Sequence, residues 1–247
     1  MEKKATLLIK HIHTIYTMQE DGNQNIQFQH GFIAIHHDQI IDLGTHDFMH
    51  LVDKDTRILD GTNHIAVPAF IEVNGSMSKN EKKGLLEQNE YFMRYMKNGT
   101  LCIHMKHAIR KDLLHNYHYE VLKDVEVDSS YPVVHTLSHM NTTSHLQVCN
   151  FCISSSHEQV SLQSQMMAAQ LLAMKDHIDA YELLKAITIN PARFLKREDL
   201  GVLDIGKCAN IILLSVKDIH SFFYSLDQNC ISQIIHKGVR IYPNLLI

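Results

Sequence analysis

Histidine is the over-supplied side chain here, with 19 copies in 247 residues. Imidazole is the commonest metal ligand and titrates near neutral pH, so the excess invites a search for clusters. The densest one lies past the middle of the chain. His135, His139 and His145 precede Cys149, Cys152 and His157, and His145-x3-Cys149-x2-Cys152-x4-His157 comes near zinc-site spacing. Overlapping it, Ser154-Ser155-Ser156-His157-Glu158 sets a hydroxyl, an imidazole and a carboxylate in one short run, the ingredients of an activated nucleophile. Both groupings have plainer readings. Cys149 and Cys152 fall in an apolar, strand-like run, where residues three apart face opposite sides, so they read as buried thiols. Groups adjacent in sequence rarely form a triad, because the triad is a spatial arrangement. Many other histidines sit among polar residues, as in His11-Ile12-His13 and His36-His37, and read as surface. What the count leaves open is a histidine-rich module that binds metal weakly at several points.

Composition bounds the class. A hydrophobic fraction of 45% and a charged fraction of 20% are those of a globular protein with a real core. The net charge is -4 and no basic block stands out, which argues against a nucleic-acid partner. No apolar run is long enough to span a membrane, and the Leu7-Leu8-Ile9 run is too short for a signal peptide. Five scattered cysteines argue against a disulfide framework. No Gly-rich phosphate loop is present. A cytoplasmic protein is the expectation.

The elements that must position these residues alternate in kind. The first 66 residues read as strands: Thr6–Ile12, then a hairpin of Phe32–His36 and Ile40–Gly44, then Arg57–Asp60 and His64–Val67. Asp21–Asn25 reads as an exposed loop. Ser78-Lys79-Asn80-Glu81 has the form of a capping box, opening a helix to Lys97 whose apolar face is Leu85, Leu86, Phe92, Met93 and Met96. Asn98-Gly99 ends it, and Leu101–Met105 follows as a buried strand. Strand character recurs at Val121, Val125 and Val127, at Val133–His135 and at Gln147–Ser154. A helix over 161–177 carries a stripe of Met166, Met167, Ala169, Leu171 and Met174. Asp179–Glu182 is a second capping box, and Asn190-Pro191 is expected to start another helix with Asn190 as its cap. Asn210–Leu214, Gln233–His236 and Val239–Tyr242 close the chain as strands.

Two stretches carry a family resemblance. Leu183-Leu184-Lys185-Ala186-Ile187-Thr188-Ile189-Asn190-Pro191-Ala192-Arg193, followed by Gly201 to Gly206-Lys207-Cys208-Ala209-Asn210-Ile211-Ile212, resembles the C-terminal signature of the amidohydrolase superfamily, with Asn210 where the family usually has Asp. Val67-Pro68-Ala69-Phe70-Ile71-Glu72-Val73-Asn74-Gly75-Ser76 resembles its first barrel strand, which ends in a metal-binding His-x-His. Asn74 and Ser76 fall where those histidines belong. Leu7-Leu8-Ile9 with Tyr16-Thr17-Met18, and Phe223-Tyr224 before Ile231–Gly238, are most similar to imidazolonepropionase.

The resemblance implies an α/β plus β fold. Residues 1–66 and 202–247 would build one composite β-sandwich, and residues 67–201 an inserted (β/α)8 barrel. That insert is too short for the ~250 residues of a closed barrel, so a truncated, incomplete barrel is expected, with central units missing between Met105 and Val148. The family's metal activates a water, and an Asp at the end of the last strand handles protons. That carboxylate position falls on Ser156, or on Ser155 one residue earlier, and a serine is no general base at neutral pH. With Asn74, Ser76 and Ser156 all substituted, the resemblance implies a scaffold without metal catalysis, needing no cofactor and kept for binding or assembly. Two alternatives remain. One is a minimal hydrolase of carbon-nitrogen bonds using zinc, iron or manganese, with His135, His139, His145 and His157 as its weak ligand candidates. The other is the histidine-rich metal-binding module. A dimer is expected, because an opened barrel exposes sheet edges and because imidazolonepropionases are generally dimers. Met93, Tyr95, Met166 and Met167 are the candidate contacts.

Overall fold

The computed structural model describes residues 3–21, 24–75, 77, 84–105, 119–123, 125–131, 133–135, 151–154, 169–170, 178–224 and 230–242. The 78–81 capping box, Met166, Met167, Leu171 and Met174 lie outside the described residues. Of the 161–177 helix, the described pair Ala169–Gln170 is helical and buried. The chain divides into two compact units.

Unit one takes residues 1–69, 199–222 and 228–247. Its strands are β1 (Leu7–Asp21), β2 (Gln24–His36), β3 (Gln39–Gly44), β4 (Arg57–Asp60), β5 (Ile65–Pro68), and, from the C-terminal part, β11 (Ile211–Leu214), β12 (Ile231–His236) and β13 (Val239–Tyr242). They form one sheet in the order β13-β12-β11-β5-β1-β2-β3, with β4 also on β1. β11 pairs antiparallel with β5, Ile212 opposite Val67 and Leu213 opposite Ala66. The expected hairpin is β2–β3, with Ala34 opposite Asp42.

β1 is twice the length its apolar run suggests. At ~3.3 Å per residue a straight strand of this length would extend about 50 Å, too long for a small sheet. Two register breaks bend it, at Ile9/Ile12 and Tyr16/Glu20, and His11 and Met18 adopt positive φ inside them. Bulges of this kind bend and twist a strand. Bending lets one edge of β1 serve two partners, β4 along Leu7–Lys10 and β5 at Thr14–Ile15. It also explains the core parity. Leu7 and Ile9 face one cluster, and after the first break the even-numbered Ile12 joins it, with Ile33, Ile35, Ile211, Leu213 and Ile235. The opposite face buries Leu8, Phe32 and Ala34 under Leu51 of a 3-10 turn, Met49–Leu51.

Segment 206–210 joins the sheet's far ends. Gly206 N–H donates to Ile40 O at 2.8 Å and Ile40 N–H to Lys207 O at 2.9 Å. Ala209 N–H reaches Asp38 O at 2.7 Å, and Gly238 N–H reaches Ala209 O at 3.1 Å. Asn210 Oδ1 accepts from Lys237 N–H at 2.8 Å, so the residue standing for the family's Asp pins a turn. Gly238, at φ +74°, meets the β2–β3 turn so closely that a Cβ there would lie 1.7 Å from His37 O. Only glycine permits both that φ and that approach.

Unit two holds residues 70–198 and 223–227. β6 (Phe70–Gly75), β7 (Thr100–Met105) and β8 (Glu120–Lys123) form a parallel sheet in that order, and β9 (Val133–His135) pairs in parallel with β10 (Cys152–Ser154). β10 lies beside β6. Parallel strands need crossover connections, and α1 (Leu85–Lys97) is the one between β6 and β7. Val125 and Val127 are not in a strand.

The helices differ in detail from the expectation. α1 buries Gln88, Tyr91, Phe92, Tyr95 and Met96, while Leu86 is 75% exposed and Leu85 is also exposed. The stripe is rotated toward the tyrosines, which bury more area per residue than the leucines they replace. Tyr95 is therefore a core residue, not a contact surface. Gly84 stands at the N-cap of α1 with no side-chain cap, and Gly99, at φ +84°, closes the other end as expected. α2 (Ala180–Ile187) is capped by Asp179, whose carboxylate accepts from Tyr181 N–H at 2.8 Å and Glu182 N–H at 3.4 Å. The return half of that box is not made, because Glu182 turns to Lys185 Nζ at 3.2 Å. Asn190 is inside α3 (Ile189–Phe194) rather than capping it. Thr188 holds the cap position and sends its hydroxyl to Leu184 O at 2.6 Å. The last helix is α4 (Ile219–Tyr224). Among the described residues no helix is long and apolar enough to cross a membrane.

A fragment of residues 1–66 should not fold alone, because β5 and the core face of β1 lack β11 and Ile235. Circular dichroism of that fragment should show an unfolded chain, and adding residues 199–247 in trans should restore strand signal. A cooperative melt of the isolated fragment would contradict the shared sheet.

Candidate functional site

Parallel strands converge their C-terminal ends on one rim, and in α/β folds ligands gather there. In unit two that rim begins with β6. Its residues alternate across the sheet, so Glu72 and Asn74 share one face and Ile71 and Val73 the other. Glu72 is fully buried. Its Oε1 accepts from Asn74 N–H at 2.9 Å, which ties the carboxylate back onto its own strand. Gly75 fits tightly against β7, since a Cβ there would meet Met105 Sδ at 2.4 Å.

β7 contributes His104, a buried imidazole that sequence reasoning missed. Its Nδ1 lies 2.7 Å from Val73 O. A carbonyl can only accept, so Nδ1 is the donor in this bond. β10 brings Cys152 and Ser154, both fully buried. Burial pushes the Cys152 thiol far above its ordinary range, and the Glu72 carboxylate nearby adds to the rise. The thiolate is the nucleophile and the metal ligand, so this sulfur is inert at neutral pH. Asn190 of α3 donates from Nδ2 to Phe151 O at 3.0 Å, just before β10, and its buried Oδ1 has no partner among the described residues.

Of the sequence candidates, Asn74 stands on this rim, half-buried, with its backbone committed to Glu72. His135 lies opposite Ser154 in the β9–β10 register. Ser76, Ser156, His139, His145 and His157 lie outside the described residues, as do Cys149 and Ser155 of the two chemical groupings. Cys102, Cys152, Cys208 and Cys230 form no disulfide with one another.

Among the described residues, the groups on these strands do not assemble a divalent-metal site. Such a site needs three or four ligands drawn from imidazole, thiolate and carboxylate. Here the carboxylate is engaged by a backbone N–H, the thiol holds its proton, and the residue on β6 is an amide. Among the described residues no group of three His, Cys, Asp or Glu side chains could hold an ion. Glu72, His104 and Asn190 are buried polar groups, each bonded to the backbone of unit two's own strands or of the residue leading into one.

Comparison with known proteins agrees with this architecture. A sequence model of the Amidohydrolase family matches residues 143–241. No curated protein matches the chain. Among solved structures, a triazine hydrolase variant superposes with a TM-score of 0.69 at 11% identity, covering 95% of this chain and 94% of that one. Atrazine chlorohydrolase from Arthrobacter aurescens TC1, complexed with zinc, gives 0.65 at 11% identity, covering 95% of each chain. An adenosine deaminase from Xanthomonas campestris, with bound zinc, gives 0.66 at 10% identity over 96% of this chain and 94% of that one. Identities this low speak for the fold alone. The family match covers 99 of the 247 residues, and the solved structures share the fold.

The Cys152 environment makes a direct prediction. Iodoacetamide at pH 8 should leave Cys152 unmodified in the native protein and alkylate it fully in guanidinium, as read by peptide mass spectrometry. Rapid native labelling would mean a lowered thiol pKa and an accessible nucleophile.

Proposed function

We propose that this chain is an amidohydrolase-like protein, related to imidazolonepropionase, in which metal-dependent hydrolysis has been abandoned and the scaffold is kept for binding or assembly. The observation that carries the reading is Asn74. It occupies the β6 position where the resemblance places an imidazole ligand, and its N–H occupies the only carboxylate on that strand. In this reading the curled sheet of unit one is the composite β-sandwich, and β6–β10 are what remains of the barrel. The cytoplasm is the proposed compartment.

An active reading has one specific support. His104 is held through Nδ1 by a carbonyl, the arrangement that orients metal-ligating imidazoles. With the zinc of the similar hydrolases, that favours a minimal hydrolase of non-peptide carbon-nitrogen bonds as the second reading. Metal analysis separates the two. Protein purified without chelator should carry far less than one zinc, iron or manganese per chain. One equivalent of such a metal, with hydrolysis of imidazolonepropionate that is lost on chelation, would overturn the proposal.

Assembly is proposed to be a homodimer. The parallel strands of unit two form two short sheets, and Leu85 and Leu86 leave apolar surface exposed at the start of α1. Light scattering should give twice the 28.4 kDa chain mass. A monomer mass that persists on concentrating would refute it.

A further inference from the structure

Unit one contains a cleft of about 680 Å³. Thr6, Leu7 and Leu59 are among its lining residues, with Ile58 and Val239. Ile58 and Val239 are 54% and 57% exposed, unusual for β-branched side chains on a sheet. Besides Gly238, the other lining residues are charged or polar: Arg57, Lys237, Arg240, His37 and Asp38. Three cations thus meet one carboxylate in a chain whose net charge is -4. Among the described residues none of the three forms an ion pair, and neither does Asp38.

Arg240 adds a second sign. Its Nε is out of contact with solvent and meets no acceptor among the described residues. Buried donors are nearly always satisfied, and a guanidinium offers carboxylate or phosphate a two-point fork. The frame around it is rigid. The 237–238 turn is held by Asn210 Oδ1 and by Ala209 O, and packs directly on His37. Both sheet margins that line the cleft, β4 and β13, have one paired neighbour each among the described strands. A cleft of this volume is the size of small-molecule sites, which combine apolar walls with a few placed polar groups.

We propose that this cleft binds a small organic anion, a carboxylate or phosphate on an apolar body. The anionic group pairs with the side-chain cations of Arg57, Lys237 and Arg240. The body lies against Leu7, Ile58 and Val239. Charge favours this occupant over an added peptide strand, which would need no such concentration of cations.

Calorimetric titration of the full chain tests it, with benzoate, phenyl phosphate, inorganic phosphate and benzyl alcohol as probes. One saturable site is expected for benzoate or phenyl phosphate, and whichever binds tighter identifies the anionic group. Arg57→Gln and Arg240→Gln should each weaken that probe about tenfold or more, as loss of a charge-assisted pair does. Lys54→Gln, which removes a cation elsewhere on the surface, should leave it unchanged. Thermal melts of the three variants show whether each is folded, and Arg57→Gln serves if Arg240→Gln is not. The proposal fails if neither organic anion saturates a site, if benzyl alcohol binds as tightly, or if Lys54→Gln weakens binding as much as the arginine variants. None of these outcomes bears on the metal content of unit two.

Discussion

One strand holds unit one together. Ile211–Leu214 has no side chain in water, and both its edges are occupied, by β5 on one side and β12 on the other. Without it the N-terminal strands would present β5 as an open edge, and the cluster around Ile9, Ile12 and Ile33 would lose Ile211 and Leu213. Burying one such side chain contributes roughly 1.5–3 kcal/mol. Four in a row, with two full ladders of hydrogen bonds, account for why a chain cut by a long insert still makes one sheet. The segment just before it, 206–210, then fixes the turns at Asp38 and Lys237 and so shapes the charged cleft.

Much of the fold was legible because local signals agreed with tertiary demands. The β2–β3 hairpin, the Asp179 cap and the Gly99 stop are each set by a few neighbouring residues, and each forms as expected. Misreadings occurred where packing outweighs local preference. Asn190 has the chemistry of a cap but is drawn inward to satisfy Phe151 O, and Thr188 takes its place. The helix α1 looks amphipathic around its leucines, yet buries its tyrosines. β1 runs well past Ile12, where polar residues and two bulges interrupt the alternation that marks a strand.

The candidate site was half legible. Asn74 and Ser76 were visible as substitutions only against a family pattern. Glu72 and His104 escaped notice because each sits in an apolar strand with no neighbouring ligand at a telling spacing. Their meaning comes from burial and from backbone partners: Asn74 N–H for Glu72, and Val73 O on another strand for His104. The alternation of β6 could have flagged Glu72, since a carboxylate on a strand with buried residues on both faces must find a partner. The charged cleft could not have been found in sequence. Its cations come from Arg57 and from the 237–240 turn, nearly two hundred residues apart.

The pairing of β5 with β11 also sets a timetable. Pro68 and Ile211 are opposite one another in the sheet but about 140 residues apart in the chain. A ribosome adding ~5–20 residues per second needs roughly 7–30 s to cover that interval. For all of it, β1 to β5 have been made and their closing strand has not. Closure across so long a loop is entropically slow, and contacts of such high sequence separation delay folding. The nascent chain therefore carries an apolar half-sheet with an unfilled edge through most of its synthesis. Its survival in a cell depends on what shields that edge until residue 214 emerges.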